Sequence, residues 1–215
     1  MGPVHRRRVH PRGVLEGLLE RLRGREQRLV RAGPEQPLLL LSYLRGGQAA
    51  AGELEVAYAR TWLRLSAPAR APYQEIFPLL PTLVVVLLRP RNLCDCLGHG
   101  HPRGAESRLT RRLAAELGSS VGEIDLAYEA IRRWQPQPLS SLAAGELGPR
   151  LDELHFQAAL LAVLLHELEH LAIPLSAEGE TRARSNWFYA RAMQELVAEE
   201  SGAPYGMAAP LPPRP

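Results

Sequence analysis

Apolar positions along the first third of the chain recur at helical spacing. Leu15, Leu18, Leu22 and Leu29 alternate with arginines and glutamates, which predicts a helix over Val14–Val30. Apolar stretches at Pro37–Leu44 and Leu54–Leu65 extend that helical reading, and residues 1–12 carry no pattern and read as disordered. The proline-punctuated run from Ser66 to Pro72 breaks the pattern. It divides the chain into a helical N-terminal extension, 1–72, and a second domain, 73–202. The pattern then changes. Thr82–Leu88 is β-branched, apolar and bounded by prolines, as expected of a buried strand. Arg108–Leu117 predicts a short helix ended by Gly118. Ile124, Leu126 and Tyr128 alternate with Glu123 and Asp125, the period of a half-exposed strand over Val121–Tyr128. Trp134–Gly148 reads as a loop. A long helix is expected from Pro149 to Ala172, stopped by Ile173-Pro174, and a last helix from Ala177 to Glu200. Residues 203–215 form a proline-rich tail. The fold class that follows is mostly α, of α+β type, with a small sheet.

Composition narrows this picture without redirecting it. Apolar residues make up 46% of 215, enough for a folded core. The net charge is +3, yet all 26 basic residues are arginine. Together with abundant Ala, Leu, Gly and Pro, that reads as coding bias rather than selection for phosphate binding. The densest basic run, His5-Arg6-Arg7-Arg8, has no interleaved aromatics for base stacking, so nucleic acid is not an expected partner. No apolar run reaches the length of a membrane span, and none follows the N-terminal basic residues as a secretory signal requires. Cys94 and Cys96 are too close for an ordinary disulfide framework and read as a reduced pair. A cytoplasmic protein is the expectation.

The chemistry concentrates in Leu165-His166-Glu167-Leu168-Glu169-His170-Leu171. Positions i and i+4 share a helix face, so His166 and His170 can offer imidazole nitrogens to one cation. Glu167 lies one residue past the first histidine, beside such a cation rather than on it, where a carboxylate can take a proton from metal-bound water. The preceding run, Phe156–Leu165, is almost wholly apolar, so polar groups directly after it need partners.

The motif resembles that of the zincin metallopeptidases. The order strand (Val121–Tyr128), motif helix, further helix is similar to the core of their small intracellular gluzincin-like type. The resemblance implies Zn2+ held by His166 and His170, Glu167 as general base, and a strand before the motif that pairs with an extended peptide substrate. The third ligand departs from the familiar spacings: six residues past His170 stands Ser176, and twenty past it Ala190. If the last helix folds back antiparallel, its first turns lie level with the metal, with Glu178, Arg182 and Asn186 on one stripe. Glu178 is therefore the expected third ligand. Glu180, Glu195, Glu199 and Glu200 stay open, although at about 1.5 Å rise per residue the last three fall several turns too far along. Asn186 in the ligand position would imply a degenerate site.

Three further groups stand out. Cys94-Asp95-Cys96-Leu97-Gly98-His99-Gly100-His101 could form a second metal cluster, but its spacing favours a loop that borders the cleft. His155 lies about 16 Å up the helix from His166 and reads as structural. Tyr189 could stabilise an oxyanion, but an aromatic in this setting is more often core. The functional expectation is a zinc-dependent peptidase acting on a peptide or protein substrate. Its alternative is a catalytically degenerate zincin serving as a metal-stabilised interaction module, with the N-terminal helices recruiting a partner protein.

Overall fold

The computed structural model describes residues 26–33, 36–92, 96–101, 104–134 and 144–202. They form a mixed α+β fold around one five-stranded sheet. The strands are β1 (Glu26–Val30), β2 (Leu38–Tyr43), β3 (Leu83–Arg89), β4 (Gly98–Gly100) and β5 (Val121–Ala127), in the spatial order β1-β2-β3-β5-β4. The three central strands are parallel, and the two edge strands run antiparallel to their neighbours. Six helical segments surround the sheet: α1 (Gln48–Val56), continued by a π-helical turn and Trp62–Arg64, α2 (Ala67–Gln74), α3 (Arg108–Leu117), α4 (Tyr128–Arg133), α5 (Ala144–Ala172) and α6 (Glu178–Ser201).

The expected helical extension is corrected here. Pro37–Leu44 contains a strand, and the end of the helix expected over Val14–Val30 is strand β1; the rest of that helix, and the 1–12 segment, lie outside the described residues. A continuous apolar run has neither a 3.6 nor a 2.0 period to separate the two readings. The sheet resolves the choice because β2 is buried on both faces, as parallel strands are. Leu39, Leu41 and Tyr43 enter the core beneath α1, α5 and α6, and Leu40 enters a second core with Leu113 of α3. The boundary expected near residue 72 therefore runs through shared cores: β2 pairs with β3 along Leu38↔Leu83 to Tyr43↔Leu88, and Tyr58 and Trp62 pack in the cluster that holds α5.

Helix α5 is the central element. From Phe156 to Leu165 every side chain is buried, and all are apolar but Gln157, whose amide is bonded to Thr61, Glu53 and Glu153. It begins before Pro149, which sits inside it, and ends at Ala172 as its Ile173-Pro174 stop predicts. Pro174 and the short connection turn the chain back into α6, whose last turn is closed by Gly202 in the left-handed conformation (φ 65°). The two helices pack against each other, so the start of α6 faces the end of α5.

Candidate metal centre

The helical hairpin brings three side chains to one point. His170 Nε2 lies 3.2 Å from His166 Nε2 and 3.0 Å from Glu178 Oε2, and His166 Nε2 lies 3.5 Å from the same oxygen. Tetrahedral ligands about 2.0–2.1 Å from zinc stand about 3.3 Å apart. The observed triangle has that size. Two imidazoles and one carboxylate are a donor set that zinc accepts, and the three residues form the one such cluster among the described residues.

The groups behind the triangle hold it in that shape. Ser185 Oγ donates to the Arg182 carbonyl (3.0 Å) and lies 3.4 Å from His166 Nδ1, so Nδ1–H is the donor there and Nε2 is left free. Ser176 Oγ lies 3.1 Å from His170 Nδ1 and orients that ring alike. Glu178 Oε1 accepts from Arg182 at 2.8 Å, leaving Oε2 for the histidines. Burial holds the His166 pKa below the usual imidazole value, against the pull of Glu178, which favours the neutral ring a metal needs. Burial pushes the Glu178 carboxyl up, but its Arg182 hydrogen bond and the two histidines outweigh it and hold it below the usual carboxylate range.

Glu167 lies outside the triangle and points beneath β4. Its Oε2 accepts the Gly100 N–H at 2.8 Å, and burial pushes its pKa up to about 7, against that hydrogen bond. The approach is close: a Cβ on Gly98 would stand 2.7 Å from both Cγ and Oε1 of Glu167, so only glycine fits. Leu97 O and His101 N are used by β5, at 2.8 and 3.0 Å. By the alternation of an antiparallel ladder, Gly98 and Gly100 turn their backbone groups to the free edge, above α5. The strand expected to receive a peptide, Val121–Tyr128, is instead interior, since β4 covers it. The available edge belongs to β4, which sequence reasoning read as a loop; Gly-His-Gly carries no strand signature, and only its pairing with β5 makes it one.

Glu169, between the two histidines of the motif, faces the other way. It is 1% exposed and accepts from Arg184 Nη1 (2.5 Å) and Thr181 Oγ1 (3.1 Å), both on α6. This buried pair clamps the start of α6 to the end of α5. The sequence signal was present, a carboxylate after a buried run that needs a partner, but its partner is distant in sequence.

The remaining ligand candidates lie elsewhere. Glu195 is occupied by Ser66 and Arg191, and Glu199 and Glu200 by Arg64, with Arg150 also on Glu200. Glu180 is exposed in the first turn of α6 and outside the cluster, and Asn186 lines the cleft but not the triangle. Tyr189, 2% exposed, is bonded to His155 Nδ1 at 2.6 Å and belongs to the core, and His155 Nε2 reaches the Arg132 carbonyl at 3.3 Å. The Cys94–His101 segment does border the cleft, as Cys96, Gly98, Gly100 and His101 line its two cavities. Cys96 is disulfide-bonded, which corrects the reading of reduced cysteines; Cys94 lies outside the described residues. His99 and His101 stack edge-on, and His101 leans towards Asp125 Oδ2 (3.4 Å) rather than towards a cysteine.

Two cavities flank the triangle. One of about 620 Å³ opens beside His170, and one of about 390 Å³ beside His166, Glu167 and Glu178. No protein-family model, no curated protein and no solved structure matches the chain. Among the described residues no helix is long and apolar enough to cross a membrane.

Proposed function

We propose that this protein is a zinc-dependent peptidase of zincin type, with His166, His170 and Glu178 as ligands and Glu167 as general base. The observation that carries the reading is the triangle of 3.0, 3.2 and 3.5 Å, which joins an i, i+4 histidine pair to a carboxylate on the next helix. Zinc, if held by these three residues, would supply Lewis acidity and a water more acidic than bulk water. The protein's own groups do the rest. Glu167, with a pKa near 7, can take a proton at neutral pH and return it to the leaving amine. The Gly100 N–H fixes the carboxylate that does so. With the Gly100 N–H held by Glu167, the edge of β4 keeps the backbone groups of Gly98 and the Gly100 carbonyl for an extended peptide laid along it.

The test is metal content by elemental mass spectrometry on protein purified without a metal-binding tag, followed by peptide hydrolysis. About one zinc per chain, lost in a His166→Ala/His170→Ala variant, supports the site. Glu167→Gln should keep the zinc and lose hydrolysis. Full activity in that variant ends the proposed mechanism. Zinc retained with no hydrolysis in the wild type leaves the degenerate, metal-stabilised module as the surviving reading. In that case a partner would meet a surface of the folded core, since the described part of the N-terminal region is built into the sheet.

A further inference from the structure

The sheet carries a core on each face. Leu39, Leu41 and Tyr43 of β2 point to the face that holds α1, α5 and α6, and Leu40 points to the other, where Leu83, Val85 and Leu87 of β3 and Val121 of β5 join it. Among the described residues, the members of this second core that are not on strands are Leu109, Leu113, Ala114 and Leu117, all from α3. That helix packs on β5. At about 4.8 Å per strand, β2 stands about 10 Å from β5 and β1 about 14 Å, whereas a helix reaches about 5–6 Å from its axis. The β1–β2 end of this face is therefore beyond α3.

That end is nonetheless buried. Leu40 and Ser42 are 0% exposed, and Leu29 and Leu38 are partly buried against the same core. Ser42 Oγ and Gln27 Oε1, on residues paired across β1 and β2, are shut off from solvent with no hydrogen-bond partner among the described residues. A cover other than α3 is required there.

The sequence supplies one. Residues 1–25 run directly into β1, at the margin of this face. Leu15, Leu18, Leu19 and Leu22 stand at i, i+3, i+4 and i+7, with Glu16, Glu20 and Arg21 between them, the pattern of a helix with one apolar stripe. As a helix, residues 14–22 would span about 14 Å, against about 17 Å for strand β1. Arg23, Gly24 and Arg25 then reach about 10 Å, the separation of two packed layers. Residues 135–143 and 203–215 instead continue from α4 and α6, which pack in the first core.

We propose that the β1–β2 end of the second face is a docking surface whose occupant is this chain's own segment 14–22, folded there as a helix with its leucines on Leu29, Leu38 and Leu40. The surface then ties the N-terminal segment to the sheet and does not offer it to a partner. The proposal needs no metal and stands apart from the peptidase reading.

The experiment uses the full chain with Leu18 replaced by p-benzoylphenylalanine, irradiated and digested, with adducts located by mass spectrometry. Adducts should fall on the peptides that carry Leu29, Leu38 or Leu40. The same probe in place of Glu20, on the polar side of the stripe, should give about tenfold fewer there. Mixing isotope-labelled with unlabelled chains tells whether an adduct joins one chain to itself. In parallel, Leu18→Asp/Leu22→Asp should speed amide exchange across Leu38–Tyr43 at least about tenfold, and Glu20→Ala should leave it unchanged. Adducts elsewhere or none, or exchange unmoved by the aspartates, overturns the proposal. Adducts that join a labelled to an unlabelled chain assign the surface to a second copy and also overturn it. Should the aspartate variant not fold, the crosslinks alone decide.

Discussion

Two pairs of stacked histidines stand among the described residues, and they differ in everything but the stacking. His166 and His170 have ring centroids 4.8 Å apart, and His99 and His101 5.1 Å apart, both near edge-on. The first pair is spaced i, i+4 on α5, where one helix face delivers both Nε2 atoms to a single carboxylate oxygen. The second is spaced i, i+2 at strand β4, which places both rings on one face of a sheet edge, and among the described residues they belong to no three-donor cluster. His99 is exposed, and His101 leans on Asp125 and Glu123 of the neighbouring strand. Two histidines in contact are therefore not a metal site. What a candidate metal site needs besides is a third donor brought in by a different element at the right distance, and α6 brings Glu178 to that place.

The largest effect expected is on the helical pair itself: His166→Ala/His170→Ala should abolish zinc binding, as elemental analysis after dialysis will show. Glu169→Ala removes the clamp that holds Glu178 in place and leaves Arg184 buried without its partner. It should cost about 3–5 kcal/mol in urea unfolding, and an unchanged midpoint would show that the clamp is dispensable. Ser185→Ala, which releases the tautomer of His166, should weaken zinc about 10–100-fold in a competition titration. A smaller effect distinguishes a third kind of histidine. Burial holds the His155 pKa down, so the unfolded chain takes up a proton near pH 6.5 before the folded one does. Stability from its neutral ring is thus complete above about pH 6.5 and lost as pH falls below it. The gap between wild type and His155→Gln in urea midpoint should narrow from pH 7.5 to pH 5.5. At the other extreme, His99→Ala/His101→Ala should leave zinc content at wild-type level, and a loss of metal there would erase the contrast between the two pairs.

What the sequence showed of this site was what a single helix can encode. His166, Glu167 and His170 sit at fixed local offsets, and Glu178 follows from an antiparallel hairpin with a short connection. The edge strand above them was hidden, because Gly-His-Gly has no period and owes its conformation to β5. Gly98 matters through the carboxylate that passes beneath it, a contact between residues far apart along the chain. In the fold, β3, β5, α3, α5 and α6 were legible as elements from period and punctuation, although β5 is interior and nearly wholly buried, with Glu123 1% exposed, rather than half-exposed as its alternation suggested. Strand β2 was not, since a segment buried on both faces loses the alternation that identifies strands, and Leu40 and Leu41 look equally at home in a buried helix.

The order of elements along the chain sets the order in which the site can come into being. Every strand of the sheet precedes α5, and the three proposed ligands lie in the closing hairpin, with His170 and Glu178 only eight residues apart. On a ribosome that delivers the N-terminal part first, the sheet is complete in sequence while one of its faces still lacks a cover. That bare apolar face is an aggregation hazard until α5 lands on it. The turn that then brings α6 back is a closure of the sort that takes about 10–100 ns. Covering the sheet and assembling the proposed ligand triangle are thus one late event in biosynthesis, and if the triangle holds zinc as proposed, scarcity of the metal during synthesis would be felt as poor yield.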